Sequence, residues 1–212
     1  MQLYVMQVGA IGTNCYLVSS ESGNTAMIDP GAQAEKIISA LTEKNLTPKM
    51  ILLTHGHFDH IGAVEELRKR YQIPVYIHAE DAEMLSDSAK NGGMGLMGQH
   101  VTASYDHLVE DGDGIPLDEL NFFVIHTPGH TKGSVCYMVD NVLLTGDTLF
   151  CQSIGRTDLY GGSYPEICQS LKKLADLEGD YRICPGHEQM STLDFERKNN
   201  AYLGKMSYDD LI

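Results

Sequence analysis

A chain of 212 residues with 42% hydrophobic and 21% charged positions can bury a sizeable core, and its composition is that of an ordinary globular protein rather than a disordered one. A formal net charge of −14 argues against binding of phosphate backbones through a basic surface, so no nucleic acid is expected as a partner. No apolar run approaches the roughly 18 residues that cross a bilayer, and Met1-Gln2-Leu3-Tyr4 lacks the basic start of a secretory signal, so no membrane partner and a cytoplasmic address are expected. The five cysteines (Cys15, Cys136, Cys151, Cys168, Cys184) form no CxxC pair and have no zinc-finger spacing, which points to free thiols rather than a disulfide framework.

In chain order, Leu3 to Val8, Cys15 to Ser19 and Thr25 to Ile28 read as strands, with Glu21-Ser22-Gly23-Asn24 as a turn. Asp29-Pro30-Gly31 closes that region, and Ala34, Ile37, Ile38 and Leu41 then follow helical spacing. Met50-Ile51-Leu52-Leu53 reads as a buried strand, and a helix from about Gly62 onward turns Val64, Leu67 and Tyr71 inward. A short strand at Val75-Tyr76-Ile77 precedes a helix from about Ala79. Between Ser86 and Ser104 the periodicity dissolves. Asn91 to Gly98 is too rich in glycine for regular structure and too apolar for a spacer, so it is either a surface loop or a lid offering Met94, Leu96 and Met97 to a substrate.

A second group starts at about Leu108, with strands at Asn121–Ile125, Val135–Val139 and Val142–Thr145 and a tight turn at Asp140-Asn141. A helix over Pro165–Asp176, a strand at Tyr181–Cys184 and a helix over Thr192–Leu203 complete the chain. Two similar groups of strands and helices, without a tandem repeat, predict sheets packed between helical layers.

The chemistry concentrates in Thr54-His55-Gly56-His57-Phe58-Asp59-His60, where four metal-binding side chains fall within six positions after a hydrophobic strand. Residues two apart share a side only on extended backbone, so His55 and His57 can grip one ion together only if the chain is extended or looped there, and Gly56 permits a tight path. That ion leaves little room for Asp59 and His60, which must aim elsewhere; the spacing asks for two metals. Three later segments also follow apolar runs: Thr127-Pro128-Gly129-His130, Thr145-Gly146-Asp147-Thr148 and Cys184-Pro185-Gly186-His187. Proline and glycine set a sharp turn that can present each imidazole at a sheet edge. Asp29 is either a turn residue or a carboxylate that orients a ligating histidine. His78, His100, His107 and His126 have no partner pattern and read as structural or surface residues, and Cys151 and Cys184 as ordinary thiols.

His55, His57, Asp59 and His60, with His130, Asp147 and His187, resemble the signature of the metallo-β-lactamase superfamily in order and approximate spacing, over nearly the whole chain. The resemblance implies an αββα sandwich, two mixed β-sheets flanked by helices, with residues 1–212 forming a single domain and the site at one edge of the sheets. It also implies that one ion takes His55, His57 and His130 and the other Asp59, His60 and His187, with Asp147 bridging. Imidazole and carboxylate donors without thiolate suit zinc, and also iron or manganese, so donor type alone does not choose; two divalent ions are expected, zinc before iron or manganese. A water held between two cations loses a proton near neutral pH, giving a hydroxide in place to attack a carbonyl, so Asp59 and Asp147 become the catalytic carboxylates.

Within the superfamily, β-lactamases typically lack the bridging aspartate that Asp147 provides, which argues against antibiotic hydrolysis. Flavodiiron relatives carry glutamate where this chain has His57, and the nuclease branches add inserted domains and basic surfaces. The run Thr145 to Leu159 is similar to short bacterial glyoxalase II-like proteins, which implies hydrolysis of small-molecule S-2-hydroxyacyl thioesters such as S-lactoyl thiols. Arg156 falls where glyoxalase II carries a basic residue for the thiol carrier's carboxylate; its other reading is a salt bridge with Asp158. Tyr160 is a further candidate for the same pocket. Glyoxalase II has a helical C-terminal domain where this chain has only Glu188 to Ile212, which puts glutathione as the carrier in doubt. The rival reading is a persulfide dioxygenase using one iron on His55, His130 and Asp147; a lactonase is a third, and a metal-stabilised binding protein without turnover a fourth. Oligomeric state is not legible.

Overall fold

The computed structural model describes residues 1–204. The first group of elements builds a six-stranded sheet in sequence order: β1 (Gln2–Val8), β2 (Thr13–Ser19), β3 (Asn24–Ile28), β4 (Thr47–Leu52), β5 (Val75–His78) and β6 (His107–Val109). β1, β2 and β3 pair antiparallel, whereas β3 to β6 run parallel, with α1 (Ala34–Glu43) crossing from β3 to β4. α2 (Phe58–Ile61) and α3 (Val64–Tyr71) make the next crossover, and α4 (Ala82–Ser86) lies in the one after.

The second group opens with three antiparallel strands, β7 (Gly114–Leu117), β8 (Leu120–His126) and β9 (Val135–Val139), followed by β10 (Val142–Gly146). A small hairpin of β11 (Leu149–Phe150) and β12 (Ser153–Ile154) and then α5 (Tyr164–Ala175) lead to β13 (Arg182–Pro185), which pairs parallel with β10. β14 (Ser191–Thr192) edges this sheet, and α6 (Leu193–Asn199) and α7 (Ala201–Gly204) end the described chain. The sheet order is β14-β13-β10-β9-β8-β7.

Alternation along the strands sorts the core into three layers. Tyr16, Val18, Ile28 and Leu52 of the first sheet meet Phe122, Val124, Tyr137 and Leu144 of the second. Leu17, Met27 and Ile51, on the opposite face, pack on Ile37 and Leu41 of α1 and Leu67 of α3. Cys136, Leu143 and Ile183 pack outward on Ile167, Leu171 and Leu174 of α5 and Leu193 of α6. Helix, sheet, sheet, helix is the expected αββα sandwich.

Four local readings differ from the expectation. α2 begins at Phe58, so Asp59 and His60 ride on a helical turn rather than on a loop before a helix at Gly62. The helix expected from Ala79 opens as a 3-10 turn, Ala79–Asp81. The helix expected over Thr192–Leu203 breaks at Asn200, whose backbone is extended and whose amide donates to Ser153 O at 3.1 Å and Glu196 Oε2 at 2.9 Å. The segment expected to be irregular contains a π-helical turn, Gly93–Met97, bracketed by Gly92 and Gly98 at positive φ. β6 and β7 were too short to show periodicity.

Candidate metal centre

Parallel pairing sets strand ends side by side. Ile28 lies opposite Leu52, which places Asp29 beside the segment that leads into His55, and Gly146 lies opposite Pro185, which brings Asp147 beside His187. β8 runs in the same direction as β10, so the turn carrying His130 opens at the same edge. Hydrogen bonds lock the two sheets together there. Tyr16 donates its hydroxyl to Pro185 O at 2.8 Å, Tyr137 to Leu53 O at 3.0 Å, and Val135 N donates to Thr54 O at 2.8 Å. Gly186 is required at this edge: a Cβ would sit 2.1 Å from Asp147 Oδ1 and 2.8 Å from His60 Cε1.

All seven residues singled out from the sequence converge here. His55, His57 and His130 are buried and bring one donor nitrogen each within 4.8 Å of one another, and Asp59, His60 and His187 do the same. His57 Nδ1 faces His130 Nε2 at 2.9 Å, and His60 Nε2 lies 3.4 Å from His187 Nε2. Asp147 stands between the groups, with Oδ2 at 3.5 Å from both His130 Nε2 and His187 Nε2 and Oδ1 at 3.5 Å from His60 Nε2. Asp59 Oδ2 lies 3.2 Å from His187 Nε2 and accepts from the Thr13 hydroxyl at 2.9 Å.

The surrounding bonds decide which imidazole nitrogens are free. Asp29 Oδ2 takes His60 Nδ1 at 3.0 Å, leaving Nε2 aimed into the site. Thr54 donates its hydroxyl to Asp29 Oδ2 at 2.6 Å and so accepts from His55 Nδ1 at 3.1 Å, leaving His55 Nε2 as a lone pair. His130 Nδ1 donates to Arg156 O at 2.7 Å, which frees its Nε2. Asp29 thus has the orienting geometry, and its positive φ of 50° matches the turn reading as well.

Burial first, and then the crowded neighbouring imidazoles, hold His55 and His57 well below the usual histidine range, so both are neutral donors at pH 7. For His60 burial works in the same direction, but Asp59, Asp147 and Asp29 outweigh it and push it up to about 10. Three carboxylates around one imidazole demand positive charge, and divalent cations supply it as well as protons do.

These residues fit a metal. His55 Nε2 and Asp147 Oδ1 are buried and have no hydrogen-bond partner within the described chain, and His57 Nδ1 faces only another imidazole nitrogen, His130 Nε2. Leaving such atoms bare is unfavourable in a packed interior. Bare donors gathered between histidines and carboxylates, with no thiolate among them, suit hard or borderline divalent ions.

The residues expected to meet substrate are placed differently. Arg156 touches the centre through its main-chain carbonyl, while its half-exposed guanidinium forms a paired contact with Asp158, at 2.7 and 2.8 Å. Tyr160 donates to Glu83 Oε1 at 2.7 Å on an exposed surface shared with Lys90 and Lys132. His78 stacks on His126 and His107 on Tyr76, and His100 is exposed.

Sequence reasoning missed Asp81. This fully buried carboxylate accepts from Gly56 N at 2.9 Å, Gly133 N at 2.7 Å and the Thr131 hydroxyl at 2.7 Å, tying the loop of His55 and His57 to the turn of His130. Burial pushes its carboxyl up, against the three donated bonds that pull it down. Its only sequence signal is an aspartate just past a strand, as with Asp29. Thr13 and Thr54 carried no signal at all.

Comparison with known proteins gives a consistent answer. A family model described as the metallo-beta-lactamase superfamily matches residues 8–187. The probable metallo-hydrolase YqgX of Bacillus subtilis (strain 168) is 39% identical over 206 residues, covering 95% of this chain and 97% of that protein. The hydroxyacylglutathione hydrolase GloC of Haemophilus influenzae is 34% identical over 212 residues, covering 98% and 100%. Among solved structures, that of BLEG-1 B3 metallo-beta-lactamase has a TM-score of 0.92 at 39% identity and covers 96% of this chain and 100% of that one.

Proposed function

This chain belongs to the metallo-beta-lactamase superfamily and is a metal-dependent hydrolase of it; from that premise we propose that it cleaves S-2-hydroxyacyl thioesters, the reaction type of glyoxalase II. The observation that carries the reading is the place of Asp147, within 3.5 Å of histidines from both groups. In this reading His55, His57 and His130 hold one divalent ion, Asp59, His60 and His187 the other, and Asp147 reaches both, with zinc, iron and manganese all compatible with the donor set. When bound, such a pair polarises a carbonyl and acidifies water.

The chain's own residues prepare that chemistry. Asp29 and Thr54 fix the ring orientation of His60 and His55, so their donor atoms need no rearrangement. Burial keeps His55 and His57 unprotonated, and the sheet edge keeps the opposing donors at fixed separation. Asp59, Asp147 and His187 are the partly exposed members, so a scissile carbonyl approaches from their side. No serine or cysteine nucleophile is needed: Cys15, Cys136 and Cys184 are buried, and burial raises their thiols.

Support for the thioester class comes from GloC, a hydroxyacylglutathione hydrolase whose whole length this chain matches, and that match favours glutathione as the carrier. A second reading is hydrolysis of a β-lactam ring. The 39% identity to BLEG-1 favours it and weakens the argument from Asp147 against antibiotic hydrolysis. The test pairs metal analysis of protein purified without added metal with anaerobic turnover of S-lactoyl thioesters and a β-lactam, and with oxygen uptake on a thiol persulfide. Two ions per chain and thioester cleavage without oxygen are expected. Oxygen consumption with one iron, or β-lactam cleavage alone, would overturn the proposal.

A further inference from the structure

A cavity of about 280 Å³ opens beside Asp59, a member of the group with His60 and His187, whereas the Arg156 carbonyl meets His130 of the other group. Its walls come from three separate places: Ile11 at the β1–β2 turn, Ala32 before α1, and Phe58 with Met97 and Val101 around the π-helical turn. Glycines, alanines and two glutamines make up the rest; no lysine, arginine or histidine lines it. Asp59 is its one charged residue, and the described Asp59 contacts turn the carboxylate to Thr13 and His187.

Three large apolar side chains around this mouth stand unusually free: Ile11 is 51% exposed, Leu96 53% and Met97 42%. Leu96 approaches the space above Gly92 that Phe58 also borders, which extends the apolar surface along the turn. Apolar rims of this kind, contiguous with a polar reactive centre, mark ligand-binding grooves. The volume lies at the small end of ligand cavities, and methionine adapts its shape to what enters.

We propose that this groove receives the acyl limb of the substrate, an uncharged aliphatic chain longer than lactoyl, so that the enzyme prefers medium-chain 2-hydroxyacyl thioesters. The inference rests on the thioesterase reading and adds the acyl class to it. A thiol carrier with carboxylates is a poor occupant, because no lysine, arginine or histidine lines the groove to pair with them. The cationic residues Lys132 and Arg156 are absent from this lining; Lys132 follows His130 in the chain and the Arg156 carbonyl meets its ring, so the carrier is assigned to the His130 group and the acyl chain to the Asp59 group.

The experiment uses one thiol carrier and an acyl series from glycoloyl through lactoyl to 2-hydroxyhexanoyl and 2-hydroxyoctanoyl. kcat/KM rises about four-fold for each methylene buried, until the groove is full. Ile11→Asp and Met97→Asp, both at exposed positions, lower the ratio of the hexanoyl to the glycoloyl rate roughly ten-fold by placing a charge in the apolar wall. A flat acyl series, or a dependence on the thiol limb instead, overturns the assignment while leaving thioesterase activity intact. If no thioester turns over, the proposed function fails, and binding still reads the groove. With methyl-13C methionine, the Met97 resonance, assigned by Met97→Leu, shifts with 2-hydroxyoctanamide and not with S-methylglutathione. A Met97 signal unmoved by the amide overturns the inference.

Discussion

Asp81→Ala removes a buried carboxylate that receives three donors from two loops. Thr131 can turn to Ser134 Oγ, already 2.7 Å away, so its hydroxyl stays satisfied. The N–H groups of Gly56 and Gly133 are left bare, at about 1–3 kcal/mol each, or roughly 2–6 kcal/mol in all. That is a large part of the roughly 5–15 kcal/mol that holds an average domain folded. The loss has a direction as well as a size. The severed bonds flank His57 and His130, and none touches Asp59, His60 or His187, so the first position weakens by about 10–100-fold in affinity while the second is retained. The assay is denaturant unfolding with and without chelator, alongside metal content after dialysis. Destabilisation below about 0.5 kcal/mol, with both ions retained, would refute the reasoning. Loss of both ions in a folded chain would refute the selectivity.

Asp147→Ala should lower metal retention and hydrolysis together, read by elemental analysis and turnover; full activity in that variant would remove it from the centre. Gly186→Ala puts a methyl 2.1 Å from Asp147 Oδ1 and should abolish activity in a chain whose circular dichroism is unchanged. For His78, burial and then the stacked His126 push the imidazole down to about 4. The unfolded chain takes up that proton near pH 6.5 and the folded chain only near 4, so stability present at neutral pH is lost as pH falls through this window. His78→Phe should reduce the loss between pH 7 and 4.5 by about 1–2 kcal/mol, allowing for solvent screening, as read from urea midpoints. An unchanged acid slope would show that other groups carry it.

Much of the fold was legible because its signals are local. The apolar run at Cys15 to Val18 reads as a strand buried on both faces, the spacing of Ile37, Ile38 and Leu41 as a helix burying one, and the structure buries them so. The seven converging residues were legible because several candidate donors crowd into short segments after apolar strands. What stayed hidden depends on the other sheet or on a distant loop. Asp81 matters through Gly56 and Gly133, 25 and 52 residues away, which no spacing reveals. Asn200 breaks a helix whose periodicity looked continuous, because its amide bonds a hairpin 47 residues earlier. The Arg156 and Asp158 pairing was open as one of two readings, since a guanidinium two residues from a carboxylate can turn either way. The groove at Ile11 and Met97 joins residues whose sequence neighbours say nothing of each other.

The most direct measurement is an anomalous-scattering map from crystals of the protein as purified. Two peaks are predicted, one among His55, His57 and His130 and one among Asp59, His60 and His187, both within coordination distance of the Asp147 carboxylate. A single peak, or two peaks with Asp147 bound to neither, would contradict the account.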